Sequence, residues 1–152
     1  MRSRLQPPTS FASWRTDNEF DSAKIAVIIG ASRGIGAGLA DAHCKYGYRV
    51  VANSRIIADS PHSEVVTVAG DIADPTTTER LVSAAEARFG RIDTLINDAG
   101  VFCPKPFIFD THDDYELVTS VNVLGYFDIK QRAIAEMPAK DGGDHVSASA
   151  AP

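Results

Sequence analysis

Ile25-Ala26-Val27-Ile28-Ile29 runs directly into Gly30-Ala31-Ser32-Arg33-Gly34-Ile35-Gly36, and this junction decides the fold. The first segment is continuously apolar and mostly β-branched, the pattern of a strand buried on both faces of a parallel sheet. Beyond the glycines, Ile35, Leu39, Ala42 and Tyr46 recur at helical spacing, and Gly47 marks a stop. A strand passing through a glycine cluster into a helix is where a phosphate-binding turn belongs. Glycine lets the backbone turn tightly and approach a diphosphate, whose charge meets unpaired N–H groups at the helix N-terminus. Taken alone, a glycine cluster also suits a tight turn that binds nothing.

The rest of the chain continues the alternation. Arg49 to Asn53 reads as a second strand and Val65 to Val68 as a third. Asp74-Pro75 then opens a helix, Asp as N-cap and Pro at the first helical position, with Leu81, Val82, Ala85 and Phe89 on its inner face and Gly90 at its end. Ile92 to Ile96 is a fourth strand. Thr111 to Asp114 carries a capping signal for one long helix reaching Met137, closed by Pro138 and Gly142-Gly143. Asp144 to Ser149 begins a fifth strand. There are no internal repeats. The expected fold is a Rossmann-like, doubly wound parallel α/β sheet over residues 23–152, truncated after about the fourth or fifth strand.

Composition excludes several classes. At 152 residues, with 44% hydrophobic and 23% charged residues, the chain suits one globular domain. No run reaches the roughly 18 apolar residues of a membrane span. A net charge of −5, without a basic stripe, gives no footprint for nucleic acid. Cys44 and Cys103 are too few for a disulfide framework or zinc site, so reduced thiols and a cytoplasmic location are expected, with no metal. Residues 1–22 differ from the rest of the chain: Arg2, Arg4 and Arg15 precede the first acid, Asp17, a composition similar to that of transit peptides. Pro7 and Pro8 oppose a long amphipathic helix there, and a disordered extension or a misplaced start is expected.

The glycine spacing is G-x-x-x-G-x-G, and four further segments accompany it in order: Gly70-Asp71-Ile72, Asn97-Asp98-Ala99-Gly100, Ser120-Val121-Asn122-Val123, and Gly142 followed seven residues later by Ser149. Together these resemble the short-chain dehydrogenase/reductase family. The resemblance implies a nicotinamide dinucleotide held at Gly30, Ser32, Arg33, Gly34, Ile35 and Gly36. It implies that Asp71, with Ile72, meets the adenine, and that Asn97, Ala99 and Gly100 shape the loop beside the cofactor. It assigns Asn122 and Ser149 to the catalytic set. The chain also departs from the family pattern. Ile29 replaces a usual Thr, which removes a hydroxyl bonding toward the Asn97 loop. Asp98 replaces a second Asn and brings a carboxylate near an anionic cofactor, unless it points away. Asp144 and His145 are unusual in a strand expected to be buried.

The second strand ends Val51-Ala52-Asn53-Ser54-Arg55, without the acid that would bond the ribose 2′-hydroxyl of NAD. An arginine fork there holds a 2′-phosphate instead, and Arg33 is a second cation within the turn. NADP is therefore expected over NAD, with Ser54 and Arg55 in the cofactor set.

In the family a Tyr, with a Lys four residues on, follows the Ser by about a dozen residues; the Tyr is the general acid/base and the Lys lowers its pKa. The given sequence stops at Pro152, so the expectation is a chain without that pair. Tyr126 and Lys130 share its spacing but belong to the long helix, where packing or partner contact is the expected role. The function expected is that of an NADP(H)-dependent oxidoreductase acting on a small carbonyl or alcohol, in a chain able to form a homo-oligomer. The alternatives are a catalytically silent nucleotide-binding module and a gene fragment without function.

Overall fold

The computed structural model describes residues 23–137 and the backbone of residues 145–148. The expected N-terminal extension and Ser149 lie outside the described residues. Five strands, β1 (Ile25–Ile29), β2 (Arg49–Ser54), β3 (Val65–Ala69), β4 (Thr94–Asn97) and β5 (His145–Ala148), form one sheet in the order β3-β2-β1-β4-β5. Every neighbouring pair is parallel. The chain therefore moves outward from β1 to β3 on one side, then returns to build β4 and β5 on the other. That reversal opens a crevice at the carboxyl ends of β1 and β4, where doubly wound folds bind ligands.

Parallel pairing requires crossovers, and helices supply them on both faces. Helix α1 (Gly34–Lys45) covers one face, where Leu39, Ala40 and Cys44 pack on Ala26, Ile28, Val50 and Ala52. Helices α2 (Pro75–Phe89) and α4 (Tyr126–Glu136) cover the other, where Leu81, Ala85, Ile129 and Ala133 meet Val27, Ile29, Val51 and Leu95. Central strand β1 is consequently buried at all five positions, which explains its unbroken apolar sequence.

Three local readings change. The helical spacing Ile35-Leu39-Ala42-Tyr46 matches the inner face of α1 only in part: Leu39 packs on the sheet, but Ile35 is 59% exposed and Tyr46 80%. The helix instead docks through Gly36, its one fully buried residue, and this turns Leu39, Ala40 and Cys44 toward the sheet. The expected long helix is divided into α3 (His112–Thr119), a π-helical segment at Ser120–Gly125, and α4. Such a widened turn shifts the helical phase within a continuous apolar pattern, so periodicity alone does not reveal it. Finally, β4 begins at Thr94 rather than Ile92, because Asp93 bonds Ile25 twice. Its N–H donates to the Ile25 carbonyl (3.0 Å), and its Oδ2 accepts from the Ile25 N–H (2.8 Å). Arg91 donates to the same buried carboxylate from Nε (2.9 Å).

The capping signals at α2 and α3 hold. Asp74 accepts from the Thr76 N–H (2.9 Å), Pro75 opens α2, and Gly90 closes it in the left-handed conformation. At α3, Thr111 and Asp114 bond reciprocally as a capping box.

Candidate nucleotide site

A cavity of about 660 Å³ lies at the carboxyl ends of the central strands. Its first wall is the glycine turn. Gly30 and Ala31 both donate their N–H groups to the Asn53 carbonyl (2.9 and 2.8 Å), so the turn hangs from the end of β2. Gly30 has φ +86°, and a Cβ there would stand 2.8 Å from the Ala99 nitrogen. Gly36 has a different constraint: its Cβ would meet the Gly30 carbonyl oxygen at 2.3 Å. The two glycines thus let α1 and the β4 loop close against one turn.

The start of α1 faces the cavity through Gly34 and Ile35. Arg33 is the N-cap, in extended conformation, and its side chain makes no cap. Asp98, arriving from β4, supplies a bond instead: Oδ2 accepts from the Gly36 N–H at 2.8 Å. Asp98 therefore points at the turn rather than away from it.

The second wall is the end of β2. Ser32 Oγ donates to Ser54 Oγ (2.9 Å), which joins the turn to the strand end. Arg33 and Arg55 are exposed and line the cavity, and among the described residues neither has an acidic partner. No acid occupies this end of the strand. Beneath it, buried Asn53 donates from Nδ2 to the carbonyls of Val68 (2.8 Å) and Gly70 (3.1 Å), which fixes the end of β3 beside β2. Asp71 and Ile72 come next in the chain and line the third wall. Asp71 Oδ1 accepts from the Ala73 N–H (3.0 Å).

The fourth wall is the loop after β4. Ala99 and Gly100 line it, whereas Asn97 is buried beneath it with Oδ1 unpartnered among the described residues. Asn122, in the π segment, is not part of the lining. Its side chain bonds both backbone groups of Val101, which is. Sequence reasoning missed Asn53, Gly70, Val101, Phe102 and Val121. Asn53 carried a signal, a polar residue ending an otherwise apolar strand; Val121 and Phe102 carried none. Tyr126 and Lys130 lie outside the lining, the ammonium 5.5 Å from the ring centroid as a helix-face pair. Asp114 and Cys103, whose pKa values are displaced, also lie outside it. Hydrogen bonds from Lys105 and Thr111 hold Asp114 well below the usual carboxylate range, while burial and then Asp114 push the Cys103 thiol up. Among the described residues no cluster of three or more His, Cys, Asp or Glu could hold a metal, and no helix is long and apolar enough to cross a membrane.

Residues 24–151 match the family model of the short chain dehydrogenases. The chain belongs to this family. As a short-chain dehydrogenase it is 36% identical over 137 residues to an uncharacterized oxidoreductase of Methylorubrum extorquens, covering 83% of this chain and 54% of that protein. It resembles the structure of 3-ketoacyl-(acyl-carrier-protein) reductase from Brucella melitensis complexed with NADH, with a TM-score of 0.71 and 28% identity over 76% of this chain and 51% of that one. An NADPH dependent reductase involved in bacilysin biosynthesis gives a TM-score of 0.68 and 28% identity over 76% and 54%. The chain thus spans about half the length of the relatives it matches. Short-chain dehydrogenases use nicotinamide dinucleotides, and these two neighbours differ in which one their names carry.

The donor set of the cavity fits such a ligand. The N–H groups of Gly34 and Ile35, the first two residues of α1, make no hydrogen bond among the described residues and belong to the end of a helix that attracts anions. Two hydroxyls and two guanidinium groups stand at the β2 end.

Proposed function

We propose that this short-chain dehydrogenase binds NADP(H) and acts on a small carbonyl/alcohol pair. The observation that carries the reading is the β2 end of the cavity, where Arg33 and Arg55 flank Ser32 and Ser54 without an acid. A 2′-phosphate gains charge-assisted bonds there, whereas the bare 2′-hydroxyl of NAD finds no carboxylate to accept its proton.

The remaining roles derive from position. Gly34 and Ile35 offer backbone donors to the diphosphate, and Gly30 and Gly36 hold the turn in shape. Asp71 and Ile72 border the adenine end; Ala99 and Gly100, supported by Asn97, border the nicotinamide side. Asn122 is a positioning residue that acts through Val101. Ser149 keeps its proposed place in the catalytic set. When bound, the cofactor supplies or accepts hydride; the protein's part is to bind it, orient it and exclude water. Free thiols at Cys44 and Cys103 support a cytoplasmic location. Exposed Leu124, Phe127 and Ile134 support a homo-oligomer.

The test is NADPH consumption across aldehydes, ketones and quinones, with Tyr126→Phe as control. Turnover that Tyr126→Phe leaves intact supports the reading, with another residue or a partner chain supplying the acid. NADPH binding with no substrate consumed favours a silent binding module, and turnover lost with Tyr126 shows that the helix-face pair was misassigned.

A further inference from the structure

Asp98 occupies a position where its two properties act in opposite directions. Its backbone is fixed beside the end of β1, the N–H donating to the Ile29 carbonyl at 2.9 Å. Its carboxylate accepts from the Gly36 N–H at 2.8 Å, in the first turn of α1, where the helix dipole is positive. The turn and the β4 loop are in close contact here: a Cβ on Gly30 would lie 2.8 Å from the Asp98 carbonyl carbon, and one on Gly36 would lie 3.1 Å from Asp98 Oδ2. Asp98 also lines the cavity together with Gly34 and Ile35. The hydrogen bond holds the turn against the sheet. The charge takes up part of the positive field that an incoming diphosphate requires.

We propose that Asp98 sets the affinity of the site, its hydrogen bond holding the glycine turn in shape while its negative charge disfavours polyanionic ligands. The inference rests on the proposed nucleotide site. Asparagine separates the two properties, because its side-chain carbonyl still accepts from Gly36 while the charge is gone; alanine removes both. Repulsion between like charges scales with ligand charge and weakens with salt, whereas a purely structural role responds to neither.

The experiment is an NMR titration of wild type, Asp98→Asn and Asp98→Ala with adenosine, NADH and NADPH, at low and high salt. Asp98→Asn is expected to bind both dinucleotides about tenfold more tightly or better at low salt, a Coulombic scale for a nearby like charge. The gain should shrink at high salt, adenosine affinity should stay unchanged, and Asp98→Ala should gain less. Asp98→Ser, also neutral and able to accept a hydrogen bond, carries the same expectation as Asp98→Asn if the latter does not fold. An equal gain for adenosine, or no gain for the dinucleotides, overturns the inference while leaving the nucleotide reading in place. Asp98→Ala matching Asp98→Asn overturns the assigned role of the hydrogen bond. Absence of binding of all three ligands by every variant and wild type overturns both readings.

Discussion

The side chain of Asn122 closes a two-point hydrogen bond on the backbone of Val101: Oδ1 accepts from the Val101 N–H and Nδ2 donates to the Val101 carbonyl, each at 2.9 Å. The amide thus imitates a strand neighbour and ties the π segment at Ser120–Gly125 to the loop after β4. Asn122→Ala should lower stability by about 1–2 kcal/mol, two ordinary hydrogen bonds at partly exposed groups. It should also weaken nucleotide binding through the loosened loop. Chemical denaturation, with exchange of the Val101 amide proton, checks this; unchanged protection of Val101 would contradict the assigned tie.

Two glycines of α1 should respond oppositely to alanine. At Gly38 a Cβ meets nothing within 4 Å, so Gly38→Ala should stabilise by about 0.5–1 kcal/mol through reduced freedom of the unfolded chain. At Gly36 the same methyl strikes the Gly30 carbonyl oxygen at 2.3 Å. Gly36→Ala should therefore destabilise by about 1–3 kcal/mol and displace the turn. Melting temperatures that rise for both would mean that α1 does not rest on the turn.

Ile29 and Asn97 are direct neighbours across β1 and β4, and Asn97 Oδ1 is buried without a partner among the described residues. Valine and threonine have the same shape, so the pair Ile29→Val and Ile29→Thr isolates the effect of a hydroxyl at this place. Ile29→Val should cost about 0.5–1.5 kcal/mol. A buried hydroxyl without a partner would make Thr worse by about 1–3 kcal/mol. Because Asn97 Oδ1 can accept its proton, Ile29→Thr should be as stable as Ile29→Val or more so. Threonine clearly below valine in a denaturant titration would show that the hydroxyl does not reach Asn97.

Asp114 gives stability a defined pH dependence. Its folded pKa is held well below the usual carboxylate range, first by the hydrogen bond from Lys105 and then by those from Thr111. A lowered folded pKa means that the contribution is fully present above the unfolded value, near 3.9, and fades as pH falls through the folded one. Lys105 is shifted upward by the same pair, so its share persists until strongly alkaline pH. Comparison of wild type with Asp114→Asn should show their stabilities converging as pH drops below about 4. Parallel curves across that window would show that Asp114 does not carry this dependence.

The parts legible in the sequence are those where one local rule acts alone. The buried run Ile25–Ile29, the Asp74-Pro75 start and Gly90 end of α2, and the Thr111–Asp114 capping box are each set by residues adjacent in sequence. The illegible parts depend on tertiary contact. Ile35 is turned outward because Gly36 must dock on Gly30, a contact no periodicity displays. Asp93 shortens β4 by bonding Ile25, 68 residues away. In the site, the glycine turn, Arg55 and Asp71 were readable as motifs, whereas the direction in which Asp98 points was not. Gly36, from whose N–H it accepts, is 62 residues away, and only the closed sheet brings them together.

The most direct measurement is a side-by-side titration of NADPH and NADH against wild type and Arg55→Ala. Bonds from guanidinium groups to a phosphate are worth roughly 1.5–3 kcal/mol when well formed. Wild type is expected to bind NADPH more tightly than NADH, with the difference narrowed in Arg55→Ala mainly through loss of NADPH affinity. Equal affinities, or a preference for NADH, in wild type would contradict the assignment of the β2 end as a 2′-phosphate site.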